Sequence, residues 1–274
     1  MSDRFTETTR TGWFSRLGSA FGGVILGVIA ILGGIILLGW NEGRAVQTER
    51  ALNEGAGVVR VVASDTIDPA NEGELIHVSG DTTVGGPVSD SAWPVSADAL
   101  RLIRNVEMYQ WRETSRSETR TRLGGGEETV TTYEYDRVWS DTPQDSSSFR
   151  RPEGHQNPAF TVEAASFTAD NARLGAFRLS DRIIEQVGSG EALTFDDDTR
   201  AALSERAGGN ATVSASEIYL GDDPASPQVG DTRVSYEVVR PGDVSVVAAQ
   251  SGDGFATYRA DNGGSILLVS DLSQ

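Results

Sequence analysis

The chain has 274 residues and 29.2 kDa, with 40 acidic residues against 23 basic ones, a formal charge of −17 and a pI near 4.5. That balance excludes nucleic acid as a partner, because a phosphate-binding face needs clustered positive charge. Cysteine is absent, histidine is confined to His77 and His155, and every basic residue is arginine. Disulfides, zinc–thiolate sites, iron–sulfur clusters, thiol nucleophiles, Schiff-base lysines and P-loops are thereby removed, and neither a metal nor a cofactor is expected.

Residues 1–16 read as a cytoplasmic N-terminal tail carrying Arg4, Arg10 and Arg16. Leu17–Trp40 is a run of 24 residues without a charge, closed by Arg16 and Glu42. As a helix it covers roughly 36 Å, enough for a bilayer core of about 30 Å. Trp13 and Trp40 stand at its ends, where aromatic rings prefer the lipid interface. The run is too long for a signal peptide, and no small-x-small cleavage site follows within Asn41–Gln47. The arginines before the span predict an N-terminus on the cytoplasmic side. Gly18, Gly22, Gly23 and Gly27 form two small-xxx-small pairs, the spacing that lets helices approach closely in lipid. Residues 41–55 predict a membrane-proximal helix that stops at Gly55.

Residues 56–274 predict an acidic, β-rich exterior domain: α+β, mostly β, with a few short helices. Val58–Ala63 and Leu75–Val78 read as strands, Gly80–Asp98 as a polar loop, and Ala99–Arg104 as a short helix or strand entry. The clearest pattern is a long hairpin, Val106–Arg122 and Glu127–Ser140, around Gly124–Gly126. A tip centred on Gly125 sets Trp111 opposite Trp139, Arg116 opposite Glu134 and Arg122 opposite Glu128, pairs worth roughly 0.2–1 kcal/mol each. Asp141–Pro158 reads as an ordered loop; short helices are expected over Ser180–Gln186 and Asp197–Arg206. Strands return over Asn210–Leu220, Thr232–Arg240, Val244–Gln250, Phe255–Arg259 and Ser265–Val269.

The chemical candidates are sparse. His77 and His155 lack a nucleophile context and read as hydrogen-bonded structural residues. Ser146–Ser148 lacks the strand–turn–helix setting of a hydrolase serine. Asp196–Asp198 and the Asp222, Asp223, Asp231 group lack calcium-loop spacing; the first reads as a helix N-terminus.

Several segments together resemble the transmembrane protein 43 family, also called LUMA. They are Trp40-Asn41-Glu42-Gly43-Arg44-Ala45-Val46, Glu54–Val59, Asn71–Gly80, Val106–Trp111, the hairpin arm ending in Trp139-Ser140, the Ser146–Pro158 loop and Val244–Gln250. The resemblance implies an integral membrane protein with a large lumenal or periplasm-equivalent domain, self-association, and a part in organising membrane protein complexes. It also implies further C-terminal membrane helices, which this sequence to Gln274 lacks. The lysine-free, Arg-, Ala- and Gly-rich composition resembles that of a GC-rich bacterium, so the expected place is the bacterial inner membrane with the large domain in the periplasm. The expected partners are the lipid bilayer, further copies of the chain and other membrane proteins. The role expected is that of a non-enzymatic scaffold. The alternatives are an envelope sensor with a ligand cleft near Asp145–His155, and a hydrolase using a carboxylate pair.

Overall fold

The computed structural model describes residues 3–11, 13–123, 126–188, 190–261 and 263–272. The longer strands are β1 (Asp3–Thr11), β2 (Leu75–Thr83), β3 (Arg101–Thr121), β4 (Glu127–Ser140), β5 (Glu217–Leu220), β6 (Thr232–Val239) and β7 (Asp243–Ser251). Among the described residues the two longest helices are α1 (Trp13–Val58) and α2 (Asp197–Ala207). The expected β-rich class with few helices is therefore observed.

The chain forms two compact units. The first contains the residues up to Gly43, Glu107–Thr161 and Ser226–Asp231. Its frame is a three-stranded antiparallel ribbon, with β4 central and flanked by β1 and β3. The segment read as a tail is thus largely a strand: β1 pairs with β4 from Asp3↔Tyr135 to Thr11↔Glu127. Its Thr-rich composition suits a pleated surface, but its partner lies more than 110 residues away, beyond the reach of a local pattern.

The hairpin forms as expected with one correction of register. Partner numbers run from Met108↔Ser140 to Thr121↔Glu127, and the Arg122 N–H reaches the Gly126 carbonyl at 2.8 Å. Gly126 is therefore part of the ladder, and the turn begins one residue early, at Leu123. Every partner moves by two, which preserves the face each side chain points to. Trp111 faces Arg137, Tyr109 faces Trp139, Arg116 faces Thr132 and Thr114 faces Glu134.

The second unit takes Arg44–Val106, Val162–Ala225 and the residues from Thr232 onward. One of its sheets runs from the first residues of β3 through β6 and β5 to Ala211–Val213. Another is built around the antiparallel pair β2–β7, registered from Leu75↔Ala249 to Asp81↔Asp243. Alternation explains both: Val234, Tyr236 and Val238 on β6, and Val244, Val246 and Ala248 on β7, are buried while their neighbours are less so. The residues read as a helix or strand entry at Ala99–Arg104 join β3, and the loop over Gly80–Asp98 contains the small ribbon Val88–Ser89 with Ser96–Ala97. Asp90 and Arg104 lie buried together at 2.6 Å; Tyr236 donates to the same carboxylate at 2.8 Å, and Arg104 Nε donates to the Glu163 carbonyl at 2.9 Å. Burial, then the adjoining carboxylate, pushes the Tyr236 phenol upward.

Helix α1 departs from expectation at its end. It passes Gly55 and stops at Val58, shortening the strand expected over Val58–Ala63 to Arg60–Val61. Gly55 is a packing position rather than a stop: a Cβ there would lie 2.6 Å from Ile266 Cδ1 and 3.0 Å from Leu75 Cδ2. Ile266, Leu75 and Ala260 form a buried cluster there, with Val59, Val247 and Tyr258 packed against it.

Candidate functional site

The first candidate surface is the apolar length of α1. Leu26, Ile29, Ile31, Leu32, Ile35, Ile36, Leu37, Leu38 and Trp40 are all 56–69% exposed. A Cβ at Gly27, Gly33, Gly34 or Gly39 would meet nothing within 4 Å. Gly18, Gly22 and Gly23 lie outside the described side-chain positions. Among the described residues no helix is long and apolar enough to cross a membrane. The described apolar length begins at Leu26, and Leu26–Trp40 rises only about 22 Å.

The second candidate is the clamp around the ribbon. Gln110 is fully buried, and its amide donates to the Ser140 and Thr142 carbonyls at 3.3 and 3.0 Å while accepting the Gln144 N–H at 2.9 Å. Asn157 acts as a surrogate strand, accepting from the Trp111 N–H at 2.7 Å and donating to the Trp111 carbonyl at 2.9 Å. Glu113 Oε2 accepts the Tyr135 hydroxyl at 2.7 Å and the Arg150 N–H at 2.6 Å. Burial, with the Glu113 carboxylate behind it, pushes the Tyr135 phenol up to about 12. His155 is buried, stacks on Tyr135 at 4.1 Å and meets Trp111 edge-on at 4.7 Å. Its Nδ1 lies 2.9 Å from the Arg151 carbonyl and its Nε2 3.4 Å from Asp3 of β1. The loop thus folds as an ordered clamp in which His155 is held by Arg151, Tyr135 and Trp111. Ser146–Ser148 is a single 3-10 turn capped by Asp145, whose carboxyl is held below its ordinary value by Ser147.

The expected hairpin pairs fare unequally. Arg122 keeps Glu128 as a diagonal ion pair at 3.9 Å, while Glu128 also holds Arg10 at 3.1 Å. Glu134 pairs with Arg4 of β1, and Arg116 lies 3.8 Å from Glu118 on its own strand. Trp139 packs on Tyr109 at 5.2 Å, and the Arg137 guanidinium covers Trp111 at 5.4 Å. The two tryptophans therefore pack on neighbours, not on each other.

The remaining candidates carry structural bonds. His77 Nε2 meets Ser245 Oγ at 2.7 Å and Ser79 Oγ at 3.0 Å. The Ser245 contact links β2 to β7, while Ser79 lies on the same strand as His77. His77 also borders an apolar groove of about 210 Å3 with Val59, Leu75, Val247, Ile266 and Leu268. Asp196 caps α2 through the Thr199 N–H, while Asp222 accepts from Asn210, Asp223 from Ala225 and Asp231 from Gln228. No group of three or more His, Asp or Glu able to hold a metal ion occurs among the described residues.

The sequence reading missed Gln110, Glu113, Tyr135 and Asn157 as clamp residues and Arg4, Phe5, Glu7 and Arg10 as strand contacts. The matching six-residue spacings of Arg4 and Arg10 and of Glu128 and Glu134 were the available signal.

The described residues define a class: a β-rich protein with a long helix whose apolar length is exposed. The chain belongs to the transmembrane protein 43 family, and thus to a family of membrane proteins; the family model matches residues 108–273. It is 33% identical to human transmembrane protein 43 over 278 residues, which is 96% of this chain and 67% of the relative. It is 31% identical to the transmembrane protein 43 homolog of Drosophila melanogaster over 270 residues, 96% of this chain and 68% of the relative. No solved structure matches the chain.

Proposed function

We propose that the chain is a non-enzymatic scaffold, anchored in a bacterial inner membrane by a single helix over Leu17–Trp40, that self-associates and presents its acidic β-rich domain in the periplasm. The observation that carries this reading is the uncovered apolar length of α1. Nine large apolar side chains there are more than half exposed, an arrangement water disfavours at roughly 25 cal/mol per Å2 and lipid does not. The open space beside Gly27 leaves room for the close approach of a second helix. The non-enzymatic reading is supported by His77, His155 and the aspartate groups, whose polar atoms are engaged in cross-strand, clamp and capping bonds.

The test is light scattering on the full chain in mild detergents, beside a variant with Gly18, Gly22, Gly23 and Gly27 all changed to leucine. One defined assembly in the natural chain, reduced in the variant, is the expected result. A monomer in every detergent would end the scaffold reading.

A further inference from the structure

We propose that the outer edge of β4 is a strand-binding site for an extended segment bearing two arginines six residues apart. In this structure the chain's own β1 fills it; when α1 threads a bilayer, β1 leaves and the edge takes such a segment from a partner. The second half rests on the reading of α1 as a membrane anchor; the first half does not.

Recognition of β1 is read on both of its faces. Nine consecutive partners, Asp3↔Tyr135 to Thr11↔Glu127, give the ladder, the general source of affinity when a strand is added to a sheet edge. Side chains give the selectivity. Glu128 and Glu134 stand six residues apart on β4, an even spacing that puts both on one face. Arg10 and Arg4 match them, with Arg10 Nε 3.1 Å from Glu128 Oε1. The opposite face of β1 meets the loop: Glu7 pairs with Arg150, Arg151 covers the Phe5 ring at 5.7 Å, and Asp3 lies 3.4 Å from His155 Nε2. A second copy's β4 would be a poor occupant, because Glu127, Glu128 and Glu134 would be brought against like charges.

The release follows from connectivity. Gly12 alone separates β1 from Trp13, the first residue of α1. A helix threaded across a bilayer leaves its two ends on opposite sides, whereas a strand docked on β4 shares a compartment with the hairpin. Docking and threading therefore exclude each other, and an inserted chain exposes an unpaired edge with acidic residues placed to select its occupant.

The cysteine-free sequence makes the test direct. Thr6 and Thr132 are ladder partners, so the full chain carrying Thr6→Cys and Thr132→Cys is made by cell-free synthesis, with and without liposomes, then mildly oxidised. A second chain carries only Thr132→Cys and is offered a synthetic peptide of residues 3–11 with Thr6→Cys. The expected result is an intramolecular disulfide without lipid, its loss on insertion, and a peptide adduct on the inserted chain. The adduct should fall at least tenfold when the peptide also carries Arg4→Glu and Arg10→Glu, and return when the chain carries Glu134→Arg and Glu128→Arg. No intramolecular disulfide without lipid overturns the site, as does a disulfide equally strong for the out-of-face pair Thr6→Cys and Thr129→Cys. A disulfide that persists in liposomes overturns the release. Resistance of the same chain to alkaline extraction reports the anchor separately, so failure of the anchor and failure of the edge are told apart.

Discussion

Helix α1 is one element with two unlike ends. Along Leu26–Trp40 its glycines look onto open space and its large side chains are exposed; at Gly55 a single added carbon would strike Ile266 and Leu75. The same residue type therefore does different things within one helix. Near Gly55 it permits a close approach that the chain itself completes. Near Gly27 it leaves a surface that the chain does not complete, so its explanation lies in what surrounds the protein.

The contrast breaks most sharply at the apolar end. Ile29→Asp places a charge near the middle of Leu17–Trp40, where membrane insertion costs about 2.5–3.5 kcal/mol more. The expected outcome is a marked shift of the full chain into the alkaline wash of isolated membranes. Thermal unfolding of the β-rich region should stay within about 0.5 kcal/mol of the natural chain, since Ile29 is 60% exposed. Equal retention of both chains would remove the anchor.

At the other end the roles reverse. Gly55→Val should leave membrane retention intact and destabilise the domain by about 1–3 kcal/mol, the usual cost of overpacking. Gly55→Ala should cost less, because its Cβ would meet only the ends of flexible side chains, Ile266 Cδ1 and Leu75 Cδ2. Denaturant midpoints for both variants in detergent check this; a valine variant as stable as the parent would show that the helix end is not held there.

What the sequence disclosed depended on how far apart the cooperating residues lie. The hairpin was legible because its two arms and glycine turn are contiguous; its register slipped by two because Gly126 serves the ladder, which composition cannot reveal. Alternating strands such as β6 and β7 were legible because half-burial imposes a period of two. Gly55 was misread because a stop and a packing contact use the same residue, and only the position of Ile266 distinguishes them. Strand β1 was hidden by a competing signal: arginines beside an apolar run announce membrane orientation, while Arg4 and Arg10 also match Glu134 and Glu128. The clamp was least legible, because Gln110, Glu113, Tyr135 and Asn157 carry no motif and acquire meaning only once the loop folds over the ribbon.

A polar attachment sharpens the comparison by being sensitive to pH, which the two apolar ends of α1 are not. Tyr135 donates to Glu113, and burial beside that carboxylate lifts its phenol from 10.0 to about 12. A folded-state value above the unfolded one stabilises the protonated form, so the contribution is whole below pH 10 and is lost as pH rises from 10 towards 12. Tyr135→Phe removes the hydroxyl and leaves Glu113 with the Arg150 N–H as its partner. It should cost about 0.5–1.5 kcal/mol at neutral pH, the net worth of one hydrogen bond. The difference between the two chains should shrink as pH climbs through that window, because the natural chain is then losing the same contribution. Parallel unfolding curves for both chains from pH 8 to pH 11 decide the matter, and a constant gap would mean that the phenol does not titrate with folding.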